Sequence, residues 1–235
     1  MKIINWKSIK LFYFLACLWS WPFFWWRDLH SESWVALAVP NFLKTWSYMW
    51  GPGISAIICL YLFRHTHIRK VTFKGTSLWH GILFLAVLPS VLCVTNKNIA
   101  FIRFGILGFI AILGEELGWR GFLQDAIEFK SDYQKAIIIG VMWEIWHFTN
   151  RTANQPILNS VIRVSIWIMI TSLLSFLMIK LTNRTRSLLV AVTFHMAFDA
   201  MFEFNLGWQS VLISLPIWGI IYKNWMSSQR AVTDH

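Results

Sequence analysis

Long apolar runs follow one another through this chain, and a water-soluble core of 235 residues could not hide them all. They extend from Leu11 to Trp26, Trp46 to Phe63, Leu78 to Thr95, Phe101 to about Phe122, Ala136 to Phe148, Val161 to Leu181, Ser187 to Phe204 and Trp208 to Tyr222. Hydrophobic residues make up 57% of the chain and charged ones only 14%, where a soluble domain holds roughly a quarter. Lipid is the solvent such a surface suits. The expected fold is therefore all-α, a polytopic membrane bundle of about eight transmembrane helices forming one integral-membrane domain over residues 1–235. Several runs, Ala136–Phe148 most clearly, fall short of the ~20 residues a perpendicular span needs.

The charges fit that reading. With the N-terminus inside, fifteen of the 21 Lys and Arg residues fall on the inner side and six on the outer, so both termini are expected in the cytoplasm. The same distribution explains the net charge of +10 without nucleic acid, because the basic residues are spread over five loops and no nucleic-acid motif is present. The first run follows Lys2, Lys7 and Lys10 and carries no small-residue cleavage site, so it reads as an uncleaved span. Cys17, Cys59 and Cys93 lie in apolar runs without metal-like spacing and read as buried hydrophobes. Trp19, Trp21, Trp25, Trp26, Trp46, Trp50 and Trp208 cluster near span ends, as an interfacial belt would. Gln124–Gln134 reads as a short helix or turn at the inner interface.

Against this background the ionisable residues inside the spans stand out. A charge within the bilayer costs from about 2.5 to more than 10 kcal/mol, so it is kept where it is neutralised or does chemistry. The fourth run ends Gly114-Glu115-Glu116-Leu117-Gly118-Trp119-Arg120-Gly121-Phe122-Leu123. Glu116 and Arg120 share a helix face and can pair, while Glu115 lies about 100° round and needs a partner from another helix. Gly114 and Gly118 would let a neighbouring helix approach closely. The fifth run ends with Trp143, Glu144 and His147 within one turn, and the seventh carries His195, Asp199 and Glu203 along one stripe. Facing one another, a carboxylate, two imidazoles and an Asp can run general-base attack of water, with donors left to hold an oxyanion. Those are the parts for hydrolysing a peptide bond inside a membrane.

Glu115-Glu116-x-x-x-Arg120 resembles the EExxxR motif of the CAAX protease and bacteriocin-processing (CPBP or Abi) family of intramembrane proteases, which includes the type II CAAX prenyl endopeptidase. Trp143 to His147 is similar to its FxxxH motif and His195 to Asp199 to its HxxxN or HxxxD motif, so the resemblance covers residues 101–204, with an echo in Trp50-Gly51-Pro52-Gly53. The resemblance implies Glu115 as general base, His147 holding and polarising the water, His195 and Asp199 stabilising the oxyanion, and Glu116 with Arg120 bracing them. It also implies a peptide or protein substrate, membrane-anchored ones included, while the short loops and lack of a sorting extension lead us to expect a bacterial cytoplasmic-membrane location. Trp143 stands where the family more often has Phe, a change that packing alone would tolerate. Asp199 stands where Asn is common; an ionised Asp serves an oxyanion poorly, so it must be protonated or orient His195.

Other readings use the same residues. Glu115, His147 and His195 could ligate a catalytic zinc, although no His-Glu-x-x-His helix is present and the leading expectation is no cofactor. His65 and His67 lie in a basic loop that would repel a cation. A proton-coupled transporter would use the acids and imidazoles as a relay, and a non-catalytic bacteriocin-immunity protein would use the cavity for binding. The hydrolytic reading carries one geometric demand: His147 lies about 16 Å along its run from Ala136. Glu115 meets it only if the fourth helix starts at Arg103 or later, or tilts or breaks near Gly114.

Overall fold

The computed structural model describes residues 6–29, 47–63, 70–77, 79, 98–127, 129–152 and 156–203. Among these the chain is helical, with no β-strand and one isolated bridge between Thr72 and Ser187. The helices are α1 (Trp6–Leu29), α2 (Gly51–Leu62), α3 (Asn98–Gly118), α4 (Asp132–Trp146), α5 (Phe148–Thr152), α6 (Ile157–Thr185) and α7 (Leu188–Glu203). The run Leu78–Thr95 apart from Trp79, the run Trp208–Tyr222, Cys93 and the His65/His67 pair lie outside the described residues. Within them α6 is the one helix long and apolar enough to cross a bilayer, with shorter apolar helices at Ser47–Leu62 and Leu188–Asp199. Much of α6 is exposed aliphatic surface, Ile157 at 85% and Leu158 at 70%, as a lipid-facing helix needs.

The connection after α3 sets Glu115 level with Trp143, one turn short of the His147 that the geometric demand concerned. The helix neither starts late nor breaks at Gly114. It begins at Asn98, passes into a π-helical turn at Trp119–Leu123 and runs on through Gln124–Ala126. Glu115 is thus eleven residues from that end, and Trp143 is eleven from the start of α4 at Asp132. At 1.5 Å per residue both sit about 16 Å from the same connection, at one level. The end of the expected interfacial segment is instead the start of α4. Ser131 caps it by accepting from the Gln134 N–H, and the Gln134 side chain accepts from the Ser131 N–H in return.

Small residues set how closely the helices cross. A Cβ built on Gly118 would lie 2.7 Å from the Pro52 carbonyl carbon, and one on Gly53 would lie 2.7 Å from the Gly114 carbonyl oxygen. The Gly51-Pro52-Gly53 start of α2 therefore lies directly on the Gly114–Gly118 face of α3, which explains the upstream echo as packing. Gly118→Ala is expected to cost about 1–3 kcal/mol, read as earlier thermal unfolding in detergent, because backbone and not a flexible side chain blocks the new methyl. Gly121→Ala, whose Cβ would meet the tip of the Leu117 side chain at 3.1 Å and backbone no nearer than the Glu116 carbonyl at 3.9 Å, is expected to be tolerated.

Polar ties fasten the remaining elements. Two of the tryptophans expected at the interface donate between segments: Trp21 Nε1 to the Trp146 carbonyl (3.1 Å) and Trp50 Nε1 to the Ile110 carbonyl (3.0 Å). An indole N–H among apolar helices is stabilised by an acceptor, and for these two helix carbonyls supply it. Asp132 joins α4 to α6 through Lys180 (2.8 Å) and Asn183 (3.1 Å). Nearer the other end, Glu144 faces Arg151 at 3.4 Å, and the Arg151 guanidinium lies 3.9 Å from the Trp167 ring centroid, linking α4, α5 and α6. Residues 70–77, read from sequence only as basic loop, are moored. The Asp125 carboxylate accepts the Lys70 N–H (2.6 Å) and Val71 N–H (3.2 Å), and Thr72 exchanges backbone bonds with Arg186 and Leu188.

Candidate functional site

The expected polar residues converge between α3, α4 and α7. Glu115 and Glu116, buried at 1% and 0% exposure, diverge from adjacent positions as their 100° separation requires. Glu116 pairs with Arg120 through both oxygens, Nη1 to Oε1 at 3.3 Å and Nε to Oε2 at 3.2 Å. Arg120 lies within the π-helical turn, yet the i,i+4 pair survives the change of helix type. The guanidinium also donates to Ser175 Oγ (3.2 Å), contacts Met178 Sδ (3.0 Å) and stands 4.7 Å from the Trp143 ring centroid. A fully buried arginine with this many partners is a structural hub as well as a charge.

His195 reaches this hub from α7. Its Nδ1 lies 2.8 Å from Glu116 Oε1, so the ring is held by the second glutamate rather than by Asp199. Asp199 Oδ2 lies 3.6 Å from Nε2, beyond hydrogen-bond distance but close enough for charge to act, and its side chain is 38% exposed. Asp199 thus marks the open side of the cluster. Glu115 meets its expected partner helix through Trp143, whose Nε1 donates to Oε2 at 2.9 Å. The Trp143 ring also meets His195 edge-on, with centroids 5.0 Å apart.

His147 takes a different place from a mid-helix residue. It caps the C-terminus of α4, half-buried, with its ring against Trp146 (4.5 Å), Phe24 (5.7 Å) and Trp143 (6.5 Å). It therefore joins the cluster by way of Trp143, at the end where Asp199 is exposed. For Glu203 only the helical backbone is described. For the zinc of the alternative reading, Glu115 Oε2 is on an indole and His195 Nδ1 on Glu116, so Glu115 Oε1 and His195 Nε2 are the atoms that would face a metal. Among the described residues no three His, Cys, Asp or Glu side chains gather in ligand geometry.

Trp143 is the site residue that motif reading left as packing. Its signal was present: it sits one turn before His147, and indole differs from phenyl in having a donor.

A helical bundle of membrane type, with an acid–arginine–imidazole cluster enclosed between three helices, is the class these observations define. Residues 96–201, which hold every residue of the cluster, match the family described as type II CAAX prenyl endopeptidase Rce1-like. Over 103 residues the chain is 31% identical to the CAAX prenyl protease 2 of Methanococcus maripaludis, a match covering 40% of this chain and 38% of that protein's length.

Proposed function

We propose that the chain is an integral-membrane peptidase in which Glu115 activates water. The observation that carries this reading is the division of labour between adjacent buried acids. Glu116 is consumed by Arg120 and His195, whereas Glu115 has one oxygen oriented by an indole and, among the described residues, no ion pair within 4 Å. An acid held in place without a salt bridge is the one able to take a proton.

In the proposed reaction Glu115 accepts a proton from water, and the water oxygen adds to the scissile carbonyl carbon. His147, at the open end of α4, holds that water. In its protonated form His195, anchored at Nδ1 by Glu116, presents Nε2–H to the oxyanion, with Asp199 tuning that charge. Collapse breaks the C–N bond, and the proton on Glu115 passes to the leaving amine. The substrate is a peptide or protein segment, membrane-anchored, entering from the Asp199 side. The relative named as a CAAX prenyl protease supports a C-terminal peptide as the first substrate class to assay. Eight spans in a bacterial cytoplasmic membrane, with both termini cytoplasmic, complete the proposal.

The test is cleavage of a fluorogenic, lipid-anchored C-terminal peptide in proteoliposomes. Activity is expected in the intact protein, and loss of roughly 10²–10³-fold in kcat in His195→Ala, the scale of one lost oxyanion donor. Activity that survives chelation and metal-free purification is the expected result for a water activated by Glu115. Activity that needs added zinc would replace that mechanism with the metal one. Proton flux without cleavage would replace the peptidase reading altogether.

A further inference from the structure

We infer that Trp143 is a positioning residue for the proposed base: its indole N–H fixes the Glu115 carboxylate so that the other oxygen faces the water. This rests on the hydrolytic reading above and goes beyond it, because a phenyl ring at this position could pack but could not donate.

The geometry makes the indole the part that sets the acid's orientation. Carboxylate rotation about the last side-chain bond of Glu is broad, so a general base needs an external contact to hold one oxygen outward. Among the described residues that contact is Trp143 Nε1 on Oε2 at 2.9 Å, with Trp143 itself 3% exposed. An indole N–H donates and never accepts, so it cannot take a proton from the acid or compete with it for one. The ring cannot turn away, because the Arg120 guanidinium stands 4.7 Å from its centroid and the His195 edge closes on it 5.0 Å away. Arg120 and His195 are the groups tied to Glu116. Trp143 is thereby the physical link between the two adjacent acids: it is clamped by the partners of one and donates to the other. The proposed water site inherits its precision from that clamp.

Three proteins decide the matter in the peptide-cleavage assay, the intact chain serving as reference. Glu115→Gln tests the hydrolytic reading itself. Trp143→Phe keeps an aromatic ring but removes the donor, and benzothienylalanine placed at position 143 keeps the full bicyclic shape without the N–H. Both position-143 variants are expected to lower kcat roughly 10–100-fold, the scale of one hydrogen bond to a charged group, with KM changed less than about twofold. A packing role would instead spare the isosteric benzothienyl variant. If that variant turns over like the intact chain while Glu115→Gln is inactive, the positioning role is wrong and the hydrolase stands. If Glu115→Gln is fully active, the hydrolytic reading fails first. A readout independent of turnover is the infrared carboxyl band lost in Glu115→Gln: it is expected to move in the benzothienyl variant, and a band that stays in place overturns the inference even where a variant folds too poorly to assay.

Discussion

Glu115→Gln is expected to lower peptide cleavage by about 10²–10⁴-fold, the range general-base catalysis contributes, while leaving the protein inserted and folded. The substitution is nearly isosteric, and the Gln carbonyl oxygen can still accept the Trp143 N–H that now reaches Oε2 at 2.9 Å. What disappears is the ability to hold a proton between water and the leaving amine. Because Glu115 makes no salt bridge among the described residues, and Arg120 and His195 keep Glu116 as their counter-charge, thermal unfolding in detergent should shift little. Glu116→Gln provides the contrast. It keeps the proposed base but weakens the grip on both Arg120 and His195. Its expected signature is a loss of stability together with activity. Wild-type turnover in Glu115→Gln, measured on the same proteoliposome preparation, would remove this residue from the chemistry.

How far the site was legible in the sequence depends on which interactions run along one helix and which run between helices. The Glu116–Arg120 pair follows from a four-residue spacing and survives even where the α-helix passes into the π-helical turn at Trp119–Leu123. Convergence of Glu115, Trp143 and His195 follows from the cost of leaving their polar groups in lipid. The identity of each cross-helix partner does not follow. His195 and Asp199 share a helix face, yet the close contact goes to Glu116, since the approach of α7 to α3 sets which oxygen meets Nδ1. Periodicity gives faces; it carries no register between elements. The π-helical turn is equally silent, because Trp-Arg-Gly-Phe-Leu holds no proline and its one glycine is no stronger a signal than Gly114 or Gly118 inside the α-helix before it. Without it and the Gln124–Ala126 continuation, Glu115 and Trp143 would not be level. The mooring of residues 70–77 was hidden for another reason: it is built from backbone N–H groups on one carboxylate, Asp125, and such bonds leave no pattern in the side chains of the moored segment.

Arg120→Ala is expected to be the most destabilising single change in the cluster, by about 3–5 kcal/mol, the cost of removing one partner from a buried ion pair. Arg120 is completely buried, donates to Glu116 Oε1 and to Ser175 Oγ, and holds its charge 3.2 Å from Glu116 Oε2 and 4.7 Å from the Trp143 ring centroid. Its removal would leave Glu116 enclosed with only the His195 ring as a counter-group, and would leave a cavity against Met178. Arg120→Lys is expected to recover part of the loss at most, because an ammonium cannot fork across two carboxylate oxygens while lying flat on an indole. The informative variant is the double one, Arg120→Met with Glu116→Gln. Replacing both members of a buried pair by neutral side chains of similar size often restores stability, even where breaking the pair does not. The double variant is therefore expected to melt well above Arg120→Ala in detergent and yet to cleave poorly, since His195 has lost the carboxylate at Nδ1. That outcome separates holding the helices together from holding the imidazole. If the double variant regained stability and full activity alike, Glu116 and Arg120 would be needed only for the fold, and the orientation of His195 would have to come from Asp199.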